Sequence, residues 1–161
     1  MSVQPADIRQ HIERVLRDES RLLVELEQLL QRESTVICGD DPGAIESNGG
    51  ARHRCNDHLT RLDAERMSAC RMLSFGSGRE GFERLLGWCD PDRSLHARWQ
   101  ENLRVTRRCK ELNDRNGAVV AVKLGQVQHL LSTLRGGAPA PVYGRHGARF
   151  DGFATRDLGQ A

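Results

Sequence analysis

Three groups of residues in this sequence have types and spacings that could do chemistry. His53, Cys55 and His58 lie close together and are residue types that zinc favours. On a helix they project at about 0°, 200° and 140°, so they do not converge, and no fourth ligand lies nearby. Gly76-Ser77-Gly78-Arg79-Glu80-Gly81 has the spacing of a dinucleotide-binding loop, but such a loop works only where a strand delivers it to a helix N-terminus. A helical pattern precedes it here, and it reads as a helix break. Arg104, Arg107, Arg108, Lys110 and Arg115 could touch phosphates, yet Glu101, Glu111 and Asp114 interrupt them, as on the exposed face of a coiled coil. No Ser, His or Asp sits in a nucleophile elbow. The expectation is a protein that is not an enzyme and uses no metal and no cofactor.

A fourth group, Asn113, Asn116 and Gly117, differs because two amides on one helix seam are costly when dry and useful when paired. Two readings stand: a polar layer that fixes register across a bundle, or a groove that accepts a partner's backbone. The element carrying them runs from about 91 to 135 after an Asp90-Pro91 cap. Its stripe is Leu95, Trp99, Thr106, Cys109, Val120, Leu124, Val127, Leu131 and Leu134, with Asn102, Asn113 and Asn116 filling the same face. Such a helix is over 60 Å long at about 1.5 Å per residue, so it must lie along other helices.

Those helices come earlier in the chain. Ile8, Ile12, Val15, Glu19, Leu22, Leu26, Leu29, Glu33 and Val36 form a four-three repeat broken by two glutamates, on a helix of about 5–38 that Gly39 can end in the left-handed conformation. Asp41-Pro42 starts a second helix, about 42–75. Its stripe of Ile45, Asn48, Arg52, Cys55, Leu59, Leu62, Arg66, Ala69 and Leu73 keeps phase through Gly49-Gly50, so it is read as unbroken. A short amphipathic helix of about 79–89 follows. The fold class is all-α: an elongated antiparallel three-helix coiled-coil bundle, 1–135, with a short extra helix and a flexible C-terminal tail, 136–161.

Composition narrows the function. The chain has 161 residues, 29% charged, and a net charge of +2 with the two signs interleaved, so no strong field draws it to nucleic acid or membrane. Nothing resembles a signal peptide or a membrane span, which predicts a cytoplasmic protein without membrane insertion. Five widely spaced cysteines suit free thiols in helix cores. The tail opens with Gly136-Gly137-Ala138-Pro139-Ala140-Pro141 and carries Tyr143, Phe150 and Phe153, apolar anchors on a segment too poor in apolar area to order itself.

The run 109–117, Cys-Lys-Glu-Leu-Asn-Asp-Arg-Asn-Gly, with Leu130-Leu131-Ser132-Thr133-Leu134-Arg135-Gly136 and Val142-Tyr143-Gly144-Arg145-His146-Gly147, resembles the C-terminal half of the FlgN family of flagellar type III export chaperones. The Leu-Leu-x-x-Leu pattern of the first helix and the Asp41-Pro42 start fit its N-terminal half. Gly49-Gly50 and the number of cysteines depart from the family's usual look. The resemblance implies a cytoplasmic chaperone that binds the C-terminal helical segments of the two hook-filament junction proteins, prevents their premature assembly and delivers them to the export gate. Client contacts are expected at Val120, Leu124, Val127, Leu131 and Leu134 and at Phe150, Phe153 and Leu158. Tyr143 matches a tyrosine associated with docking to the cytoplasmic domain of the export-gate membrane protein; packing back on the bundle is its alternative. The expected state is a monomer or weak homodimer. The rival readings are a structural coiled-coil subunit that self-associates and a weak nucleic-acid-binding helical protein.

Overall fold

A computed structural model describes residues 4–39 and 41–135. Four helices follow one another, α1 (Pro5–Cys38), α2 (Pro42–Met72), α3 (Gly78–Cys89) and α4 (Ser94–Leu134), and the described residues contain no strand. The expected tail, with Tyr143, Phe150, Phe153 and Leu158, lies outside the described residues.

The ends of the helices show how the sequence sets their lengths. Pro5 occupies the first turn of α1, where its missing N–H costs nothing, and Asp7 faces the positive end of the dipole. Gly39 closes α1 with right-handed φ of −76°, its N–H reaching Thr35 O at 2.9 Å and Val36 O at 3.2 Å; the left-handed cap expected there is not formed. Asp41 then caps α2, its carboxylate accepting from the N–H groups of Gly43 at 2.9 Å and Ala44 at 3.3 Å. α2 runs unbroken through Gly49 and Gly50, and its buried residues begin only at Cys55.

Two boundaries differ from the sequence pattern. α2 stops at Met72 rather than Phe75 because Ser74 takes the left-handed conformation (φ 61°) and Phe75 N–H turns back to Cys70 O at 2.9 Å, closing the helix without a glycine. α4 starts at Ser94 rather than 91 because residues 90–93 form a turn, Arg93 N–H to Asp90 O at 3.1 Å, with Arg93 left-handed (φ 58°). Asp90 still serves the helix. Its buried carboxylate accepts from His96 N–H at 2.9 Å, one turn inside α4.

α1 is the hub. It packs along both α2 and α4, whereas α2 and α4 make no close backbone approach to each other. Contacts between α1 and α2 run in opposite directions: Glu19 meets Arg66, Leu22 O meets the Cys55 thiol, and Leu29 O meets Asn48. Those between α1 and α4 run in the same direction, from Leu16 with Asn102 up to Ile37 with Lys123. α3 makes the reversal between α2 and α4. Around it Ile12, Leu16, Cys70, Phe82, Leu85 and Leu86 are almost completely buried, and Phe82 meets Trp99 edge-on at 5.0 Å between centroids. A second cluster, including Leu23, Leu30, Cys55, Leu59, Val105 and Cys109, fills the space between the three long helices.

Candidate functional site

Four side chains of α4 reach α1 carbonyls in steps of seven residues. Asn102 Nδ2 donates to Leu16 O at 3.1 Å, Cys109 Sγ to Leu23 O at 3.8 Å, Asn116 Nδ2 to Leu30 O at 2.8 Å and Lys123 Nζ to Ile37 O at 2.6 Å. A seven-residue repeat in both partners is what keeps two helices facing each other over many turns.

Two of these levels are polar layers of the same design. Asn102 Nδ2 also donates to Glu19 Oε2 at 2.8 Å, and Glu19 accepts from Arg66 at 3.1 Å. Two heptads on, Asn116 Nδ2 donates to Glu33 Oε2 at 2.7 Å, and Glu33 accepts from Arg52 at 2.6 Å. Each layer takes one Glu from α1, one Arg from α2 and one Asn from α4. Burial raises the Glu19 carboxyl above its ordinary value even though Arg66 and Asn102 hold its charged form. The Arg66 guanidinium lies over Trp99 at 4.2 Å and Phe82 at 5.1 Å, so its flat face is covered where its edge is hydrogen-bonded. The Asn116 amide is thus occupied within the chain, and Asn113 Oδ1 accepts from Arg52 Nη2 at 2.6 Å. Gly117 answers to no close approach: a Cβ there would meet nothing within 4 Å.

The ladder ends at Lys123. Its ammonium reaches one of the last carbonyls of α1, a helix with no basic residue in its own last turn. α1 stops at Cys38 and α2 begins at Pro42, so both end near this level, while α4 continues through 124–134, about 16 Å further. Along this overhang Leu124, Val127, Leu130, Leu131 and Leu134 are each at least 45% exposed, and Leu134 reaches 83%. Val120 and Val122 lie just below it, also exposed. Val127 and Leu134 fall 14 and 21 residues beyond Asn113, and Leu130 falls 14 beyond Asn116. Among the described residues nothing covers the overhang, so it prolongs the buried seam as a contiguous exposed apolar face.

The other candidates resolve differently. Cys55 is buried with its thiol on Leu22 O at 3.2 Å, while His53 and His58 are exposed, so the three side chains diverge. Gly81 packs directly on the backbone of Gly76, where a Cβ would come within 2.8 Å of Gly76 C; the glycine spacing serves a tight helix reversal. In the basic cluster, Arg104 pairs with Glu101 on its own helix and Arg108 Nη2 donates to Glu27 of α1 at 3.0 Å. Burial pushes the Cys55, Cys89 and Cys109 thiols up to about 11, which makes them poor nucleophiles. Sequence reasoning missed Lys123 and Leu130 as seam residues; counting seven from Asn116 would have found both.

A family model described as FlgN protein matches residues 8–149, a span containing nearly all of α1 and all of α2, α3 and α4. The chain belongs to the FlgN family. It is therefore a member of a family of flagellar export chaperones, proteins of flagellar biogenesis that bind client subunits, and the family is not known as an enzymatic one. No curated protein and no solved structure matches the chain. Among the described residues no helix is long and apolar enough to cross a membrane. In this FlgN-family chain the polar layers lie within the bundle, and the bare seam lies beyond them.

Proposed function

We propose that this protein is a cytoplasmic chaperone for the C-terminal helical segments of the hook-filament junction proteins. It holds them apart from one another until they reach the export gate. One observation carries the reading: in a family of export chaperones, the seam of α4 continues past the ends of both of its neighbours as a row of exposed aliphatic side chains. A client helix that would otherwise assemble through its own apolar stripe can be masked by laying that stripe on this one. On this reading α1, α2 and α4 form an antiparallel three-helix coiled coil, and Val120, Leu124, Val127, Leu131 and Leu134, joined by Leu130, form the docking face. Phe150, Phe153 and Leu158 add anchors from the tail, and Tyr143 engages the cytoplasmic domain of the gate protein. Asn113 and Asn116 set the register of the bundle beneath. The free protein is a monomer or weak homodimer.

The test is a calorimetric titration of the full chain with the last roughly 60 residues of each junction protein, which should bind with a large negative heat-capacity change. The double variant Val127→Asp, Leu130→Asp should abolish the heat while leaving the circular dichroism and melting curve unchanged, because neither side chain is buried. Unaltered binding by that variant would refute the docking face.

A further inference from the structure

The two halves of α2 are packed differently. From Cys55 onward it buries Cys55, Leu59, Leu62, Arg66, Ala69 and Cys70, whereas between 42 and 54 it buries no residue and Ile45 is 43% exposed. The same stretch contains Gly43, Gly49 and Gly50 together with Ser47 and Asn48, all weak helix formers. A helix of about a dozen residues is marginal in water on its own hydrogen bonds, so this one depends on what it touches. Its ties to the bundle are polar: Asn48 Nδ2 donates to Leu29 O at 3.4 Å, and Arg52 donates to Glu33 and to Asn113, each at 2.6 Å.

What lies beneath that stretch is apolar. The contacts of Cys55 with Leu22 O and of Asn48 with Leu29 O set residues 48–55 over residues 22–29 of α1. Leu26 and Leu29 sit at that level, 5% and 8% exposed, and Leu112 of α4 packs against the same cluster. Asn113, which Arg52 holds, begins a column of seven-residue steps through Val120, Val127 and Leu134, all three of them exposed. We infer that residues 42–54 form a flap that unwinds as a unit while 55–72 stay packed, and that its opening uncovers a groove between α1 and α4 floored by Leu26 and Leu29. Arg52 is the latch, because it ties the flap to both α1 and α4. The opening stops at Cys55, whose buried thiol on Leu22 O is the first anchor of the packed half. Closed, the flap keeps the leucine floor from water. Open, it makes the exposed column of α4 continuous with a face of α1. This device does not depend on which partner the protein carries.

The experiment is native-state amide hydrogen exchange on the full-length protein, read residue by residue by NMR at several urea concentrations below the unfolding transition. Amides of 46–54 should exchange together, at least roughly a hundredfold faster than those of 59–70, and with a much weaker dependence on urea because little surface opens. The double variant Gly49→Ala, Gly50→Ala should slow that block roughly 15–30-fold, since a Cβ at Gly49 meets nothing within 4 Å and one at Gly50 meets only the Arg54 guanidinium at 3.4 Å. Arg52→Ala should speed it at least roughly tenfold. A Leu29→Cys probe in a Cys38→Ser background reads the groove itself: a thiol reagent should label it at the opening rate of the flap, well ahead of the buried Cys109. Exchange of 46–54 at the same rate and urea slope as 59–70 would overturn the proposal, because the flap would then open only with the whole bundle. Rates that fall residue by residue from 46 towards 54 would overturn it as ordinary fraying of a helix end. A cysteine at 29 that reacts no sooner than Cys109 would overturn the groove.

Discussion

Replacing Asn116 by alanine tests whether the polar layers hold α1 and α4 in register. The amide makes one hydrogen bond to a backbone carbonyl, Leu30 O at 2.8 Å, and one to a carboxylate, Glu33 Oε2 at 2.7 Å. The first contributes about 1 kcal/mol net and the second about 1.5–3, so the loss should be about 2.5–4 kcal/mol. For a domain of this size that is a fall in melting temperature of roughly 5–16 °C. Asn102→Ala should cost at least as much, since Asn102 Oδ1 also accepts from the Ser20 hydroxyl at 2.6 Å. The layers are 14 residues apart, about 21 Å along the helix, so the double variant should lose the sum of the two to within about 0.5 kcal/mol. Urea denaturation followed by circular dichroism measures all three. An Asn116→Ala variant within about 0.5 kcal/mol of the parent would refute the account, because the hydrogen bonds would then contribute nothing net over hydration. Strong non-additivity would refute the independence of the layers.

Gly49→Ala should stabilise the protein by about 1 kcal/mol, because Gly49 is helical with open space around it, whereas Gly81→Ala should destabilise it by about 1–3 kcal/mol against the backbone of Phe75 and Gly76; thermal melts separate the two. Titration of the folded protein with a thiol reagent at neutral pH should show one fast cysteine, the exposed Cys38, and four that react only on unfolding. Because burial raises the Glu19 carboxyl, the folded chain keeps that proton longer than the unfolded chain. This group's contribution to stability is therefore level below the unfolded carboxylate value and falls as pH rises from there through the raised folded value. Glu19→Gln should remove that part of the slope in urea midpoints measured across the weakly acid range.

Much of this was legible because the stripes were periodic. Glu19 and Glu33 stood in the stripe of α1, Arg52 and Arg66 in that of α2, and Asn102 and Asn116 in that of α4. Read singly they were breaks in apolar patterns, and only the side-by-side packing shows that they are the three parts of two layers. The phase carried through Gly49-Gly50 was sufficient to read one helix, since a loop has no reason to keep phase. The ends were harder. Ser74 and Arg93 take left-handed backbone conformations that their side chains do not advertise, so α2 stops early and α4 starts late. At Lys123 the apolar neighbour Leu124 drew the reading one residue off the true seven-residue step, because a lysine that caps another helix's carbonyls looks in sequence like any surface cation. The overhang itself was invisible to periodicity, which reports a face and not whether that face has a neighbour.

The constant separation of 86 residues between each α4 donor and its α1 carbonyl has a consequence during synthesis. α1 leaves the ribosome first and can pair with α2 at once, but its other face waits for residues made 86 positions later. At translation rates of about 5–20 residues per second that wait lasts roughly 4–17 s. Through that interval the nascent chain carries a bare leucine seam next to other nascent chains. Glu19 and Glu33, set into that seam, make it a poor match for any apolar helix that lacks a donor at both levels. The residues that later fix register thus guard the hub while its proper partner is still being translated.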